Sequence, residues 1–230
     1  MLLYEYVREF TITFTLFDYI ELGLWILSMI IFALIAYSFF QHSREKNRML
    51  IYPALFFFLY IIARIFRLIA KFVIGYPYGE YQFTGILFVL AVFYLIFAYT
   101  GLFLFYFFLE RTTLNQTHYF FSGLVVVIII LSIVNYSIPI PLFILVPLYL
   151  IMIFGVALFY LYIASQSMED ARTRALLITA GLVFIAIGSG FDAPTVVHLL
   201  GGIDLLRIIM KFGAPLLLIF GALFVRRGYK

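Results

Sequence analysis

The chain contains no cysteine. Disulfides, thiolate metal sites, thiol nucleophiles and S-palmitoylation are therefore excluded. Charge is also scarce: 11% of the 230 residues are Asp, Glu, Lys or Arg, against 66% hydrophobic, and mean hydropathy is +1.16. A water-soluble domain cannot be built from so little polar material, so the composition requires a bilayer as solvent. Tryptophan occurs once, whereas Phe (29) and Tyr (18) are abundant. Phe suits a lipid-facing surface and Tyr the interfacial belts. The net charge of +4 gives no reason to expect nucleic acid as a partner, because the basic residues lie mostly in short loops where membrane topology accounts for them. The sequence has no HExxH, no Ser-His-Asp set, no metal-ligand cluster, no paired intramembrane histidines for a haem and no glycine-flanked aspartate pair. Neither an enzyme nor a metalloprotein is expected.

What the chain does have is long apolar runs. Seven segments, at about 18–40, 50–75, 83–109, 118–136, 140–164, 171–191 and 199–225, each approach or exceed the ~20 residues that cross a bilayer. They are apolar almost all round, as lipid-embedded helices are, and the short alternating segments of a membrane β-barrel are absent. The expectation is an all-α, polytopic bundle of seven transmembrane helices forming a single domain over 1–230. The loops show no convincing internal repeat, so an inverted-repeat transporter gains no support. Arg44, Lys46, Arg48, Arg111, Arg172, Arg174, Arg226, Arg227 and Lys230 fall on one side, and Arg8 alone on the other. By the positive-inside rule the C-terminus is cytoplasmic and the N-terminus outside, in an integral protein of the cell membrane with lipids as its first partners. Residues 1–16 lack the basic region of a cleavable signal and carry Glu5 and Glu9.

Against this background the intramembrane charges stand out. Arg64, Arg67 and Lys71 lie in the second segment and Asp204, Arg207 and Lys211 in the seventh, each trio spaced i, i+3, i+7. That spacing places a trio on one helix face. Each such charge costs about 2.5–3.5 kcal/mol at the centre of a span, so the side chains require a polar place inside the bundle. The topology puts both trios in the outer half, with Asp18, Glu21, Glu80 and Asp192 at the same end. Two accounts follow. One is an outward-facing pocket, formed by Arg64, Arg67, Lys71, Asp192, Asp204, Arg207 and Lys211, that attracts a small anionic ligand or lipid headgroup through carboxylate or phosphate. The other is a frame of interhelical ion pairs. Snorkelling suffices for Lys71 and Asp18 but not for the deeper arginines. Pro215 removes the hydrogen bond to the Lys211 carbonyl, and Gly181, Gly188, Ser189 and Gly190 form a small-residue face suited to close helix packing.

Two resemblances add expectations. The stretch Arg172-Thr-Arg174-Ala-Leu-Leu-Ile-Thr-Ala-Gly181 is similar to the sixth helix of the seven-helix sensory regions of some prokaryotic histidine kinases and related signalling proteins. No kinase, cyclase or other output domain follows it here. The resemblance therefore implies a receptor-like sensing module that works with a separate cytoplasmic signalling partner. Lys211-Phe212-Gly213 resembles the seventh helix of microbial rhodopsins, which implies retinal as a cofactor on Lys211. The chain departs from that pattern: Arg207 stands where a counter-ion aspartate is expected, the third segment has no carboxylate, and Trp25 in the first segment is the only tryptophan. A transporter or channel using the charged cluster is the remaining alternative.

Overall fold

The computed structural model describes residues 15–45, 48–73, 85–112, 117–137, 140, 142–192 and 204–229. These residues form helices α1 (Leu16–Glu45), α2 (Ile51–Leu68), α3 (Ile86–Thr112), α4 (Phe120–Ser137), α5 (Leu142–Gln166), α6 (Glu169–Phe191) and α7 (Asp204–Gly228). A 3-10 turn, Arg48–Leu50, precedes α2, and a π turn, Ile69–Val73, continues it. Six helices are long and apolar enough to cross a membrane. The fourth expected span is shorter: α4 has 18 residues, about 27 Å of rise. Each helix packs on the next, and α7 returns to α1, so the bundle is a closed ring wound in chain order.

Which face of each helix turns inward was hidden in the sequence by the lack of contrast. On α1 the buried stripe is Glu21, Trp25, Ser28, Phe32, Ile35 and Phe39, while Phe17, Ile20, Leu27, Ile30, Leu34 and Tyr37 are exposed. The inward stripe is thus the more polar one, the arrangement expected where lipid covers the outside. Across the middle of the ring an aromatic and aliphatic layer fills the interior. Phe32, Phe57, Phe105, Ile35 and Leu218 are all buried. Phe32 meets Phe57 edge-on at 5.2 Å, and Phe56 meets Phe105 at 5.4 Å.

Helices α6 and α7 approach backbone to backbone. A Cβ added at Gly181 would lie 2.5 Å from the Gly221 carbonyl oxygen, and one at Gly221 would lie 2.6 Å from that of Gly181. Gly188 similarly faces the Ala214 carbonyl. Gly190 meets nothing within 4 Å, and Ser189 turns to Tyr60 instead, so only part of the expected small-residue face serves this contact.

The third apolar segment, expected to end at about 109, leaves Glu110 just beyond it, and the structure corrects that boundary. α3 runs on to Thr112, and Glu110 is buried. Its carboxylate accepts hydrogen bonds from the backbone N–H of Phe121 (2.8 Å) and Ser122 (3.0 Å), from the Thr117 hydroxyl (3.0 Å) and from the Ser122 hydroxyl. His118 and Tyr119, which enter α4, have φ of 47° and 61°, and neither offers a capping side chain of the usual kind. Glu110 therefore caps α4 from the preceding helix, its charge balanced by four donors and the positive end of the helix dipole. Glu110→Gln puts an amide NH2 among donors and removes the charge. We expect about 2–3 kcal/mol of destabilisation, measurable by unfolding in detergent. A stability equal to wild type would show that the carboxylate is not the cap.

Candidate functional site

The ring brings the first turns of α1 and α7 and the last turns of α2 and α6 to one end of the bundle, and the charged residues gather there. They fall into two groups. In the first, Arg64 and Arg67 of α2 converge on Asp192, the residue that ends α6. Arg64 Nη1 donates to Asp192 Oδ2, Arg67 Nε lies 3.5 Å from the same oxygen, and Arg67 Nη2 donates to the Asp192 carbonyl at 3.1 Å. The negative end of the α6 dipole and the carboxylate thus act on the same two guanidinium groups. Arg64 is 2% exposed. Its Nη2 donates to the Tyr60 hydroxyl, which shares a 2.7 Å hydrogen bond with Ser189 of α6. Its guanidinium carbon lies over the rings of Trp25 (4.6 Å), Tyr60 (4.8 Å) and Tyr94 (5.8 Å). Cation–π attraction offsets part of the desolvation of such a buried charge. Among the described residues Arg64 Nε finds no hydrogen-bond acceptor.

In the second group α1 is the hub. Glu21, 1% exposed, receives Lys71 of the π turn on Oε1 and faces Lys211 of α7 at 3.5 Å through Oε2. Trp25 Nε1 also donates to Glu21 Oε1, at 3.3 Å. Lys211 pairs with Asp18, whose other oxygen accepts the Thr15 N–H (2.8 Å) and hydroxyl (2.6 Å). These contacts join α1 to both of its ring neighbours.

Of the seven residues expected at the site, Arg64, Arg67, Lys71, Asp192 and Lys211 are brought together at this end. Asp204 and Arg207 belong to α7, but their side chains lie outside the described residues, as does Glu80. Two expectations need correction. Lys71 does not snorkel: its side chain is 8% exposed and turns inward to Glu21. It sits in the π turn, whose wider spiral takes it off the stripe of Arg64 and Arg67, so one trio serves two partners. Snorkelling does not account for Asp18 either, since it pairs with Lys211 of α7. The rhodopsin pattern has its counter-ion one turn before the lysine, where Arg207 stands in this chain; the carboxylates that face Lys211 are Asp18 and Glu21 of α1. Trp25, Tyr60, Tyr94 and Ser189 were missed, because a tyrosine or serine in a run of apolar residues carries no distinguishing signal. Tyr60 alone could have been found, being one turn before Arg64 on the same face.

Among the described residues no three His, Asp or Glu converge as metal ligands would. The arrangement can hold an anion by guanidinium hydrogen bonds and can fix helix positions by ion pairing. Comparisons with family models, with curated proteins and with solved structures return no match.

Proposed function

We propose that the chain is a seven-helix membrane receptor or sensor, with its N-terminus outside and its C-terminus cytoplasmic, in which the Arg64–Arg67–Asp192 group forms an outward-facing site for a small anionic ligand or lipid headgroup. A separate cytoplasmic protein would carry the signal onward. The observation that carries this reading is Arg64, a fully buried guanidinium with an N–H left over for an acceptor. Unsatisfied buried polar groups are uncommon in folded proteins, and a missing ligand is one explanation of such a group; among the described residues Arg64 Nε is the one that lies inside the guanidinium–carboxylate group. Nine basic loop residues against one support the orientation. The layer of Phe32, Phe57, Phe105 and Leu218 beneath the charges favours a vestibule closed toward the cytoplasm over the path of a transporter or channel.

Arg67→Gln tests the proposal. Arg67 is the more exposed of the two arginines and Arg64 still neutralises Asp192 without it. We expect the variant to fold with a melting temperature near wild type and to lose the thermal shift that wild type shows with a panel of carboxylates and phosphates. Destabilisation by about 3–5 kcal/mol, together with no ligand-dependent shift in the wild type, would leave a purely structural ion-pair frame.

A further inference from the structure

We infer that the two guanidinium groups of α2 form a seat for one carboxylate, that Asp192 is its built-in occupant, and that the external ligand is a singly charged carboxylate competing with Asp192 for it. The inference rests on the proposed ligand site and names its ligand class and its regulation.

Three observations lead there. Arg64 Nη1 and Arg67 Nε approach the same atom, Asp192 Oδ2, so the seat is shaped around a single carboxylate oxygen. Asp192 is the cap residue of α6, following the last helical residue Phe191, and its own backbone N–H is satisfied by the Gly190 carbonyl. Among the described residues no hydrogen bond ties its side chain to α6, so a rotamer change could withdraw it without unwinding the helix. Finally, Arg64 Nε is buried and has no acceptor among the described residues, so the present occupant leaves part of the fork unused. A free carboxylate, not tied to a backbone, can rotate to meet two N–H groups of one guanidinium side by side, which is the preferred geometry of that pair.

Charge decides the class. Exchange of one carboxylate for another leaves the charge of the buried group unchanged, two guanidinium groups facing one carboxylate. A sulfate or doubly ionised phosphate matches the two cations in number but sheds a far larger hydration shell on entering so buried a site, because the cost of desolvation rises steeply with charge. The walls decide the rest of the molecule. Trp25, Tyr60 and Tyr94 surround Arg64, so the part of the ligand beyond its carboxylate meets aromatic surface.

The test uses full-length protein in detergent, with the single Trp25 as fluorescence reporter beside the seat. Wild type, Asp192→Asn and Asp192→Ala are titrated with sodium acetate and sodium benzoate, and with chloride and sulfate at matched ionic strength. We expect half-saturation by acetate at a concentration at least tenfold lower in Asp192→Asn than in wild type. Benzoate should bind more tightly than acetate, and sulfate should produce no saturable change. Asp192→Ala, if it folds poorly, should regain thermal stability as acetate is added and not as chloride is added. Equal acetate titrations in wild type and Asp192→Asn, no carboxylate response in either Asp192 variant, or equal effects of chloride and acetate would each overturn the inference. Its failure is separable from that of the receptor reading. A wild-type response to phosphate that Arg67→Gln abolishes, without any carboxylate effect in the Asp192 variants, would keep the receptor site and remove the carboxylate seat. Carboxylate binding confined to the Asp192 variants would keep the seat and remove the receptor.

Discussion

Replacing Arg64 by methionine is expected to destabilise the bundle by about 3–5 kcal/mol, because it strands a buried carboxylate. Asp192 is 7% exposed and loses its closest cation, while the Tyr60 hydroxyl loses a donor. Arg67 stays within 3.5 Å of the same oxygen, which should hold the loss toward the lower end of that range. The double variant Arg64→Met with Asp192→Asn removes both charges at once and should recover part of the stability: the unpaired carboxylate is gone, and Arg67 loses its carboxylate contact but keeps the Asp192 carbonyl. The measurement is reversible unfolding of the two singles and the double in detergent. A loss below about 1 kcal/mol for Arg64→Met would mean that water reaches these charges and that the pair behaves as an exposed one.

The second large effect concerns no charge at all. Gly221→Val should destabilise by about 3 kcal/mol or more, the upper range for forced overpacking. The new Cβ would lie 2.6 Å from the Gly181 carbonyl oxygen and 2.9 Å from the Ile185 nitrogen, both backbone atoms, so relief requires moving a whole helix. Gly190→Ala is the matched control. It also lies on α6 but a Cβ there meets none of the described residues within 4 Å, and alanine is favoured over glycine in a helix by roughly 0.5–1 kcal/mol. Similar behaviour of the two variants in a thermal melt would refute the close contact between α6 and α7.

How far the sequence disclosed this structure depends on contrast. Apolar runs against short polar breaks are high contrast, and the helices accordingly lie where the runs do. α1 extends to Glu45, past the expected end at 40, and α6 starts at Glu169, two residues before the expected 171. The intramembrane arginines were legible because charge in an apolar run has no neutral explanation. Their partners were less so. Glu21 reads as an ordinary acid at a helix start, and only the ring closure of α1 on both α2 and α7 makes it a hub. The π turn that separates Lys71 from Arg64 and Arg67 has no sequence rule to announce it. Glu110 was misread because a polar run looks like a loop whether or not one member folds back into the protein. A signal did exist: α4 begins after His118 and Tyr119 with no Ser, Thr, Asp or Asn at the capping position, so its first N–H groups needed an acceptor from elsewhere.

The position of α1 as hub has a consequence for how the chain is made. Of the seven helices α1 is synthesised first, and it enters the membrane carrying two carboxylates. Glu21 waits 50 residues for Lys71, but Asp18 waits 193 for Lys211. At ribosomal speeds of about 5–20 residues per second, that second interval is roughly 10–40 s. Throughout it the flank of α1 that α7 will cover is an open seam, with a charged residue on its edge. The last of the seven helices to emerge is therefore the one that closes the ring and neutralises the first of them, so within the bundle the order of translation and the order of charge pairing coincide.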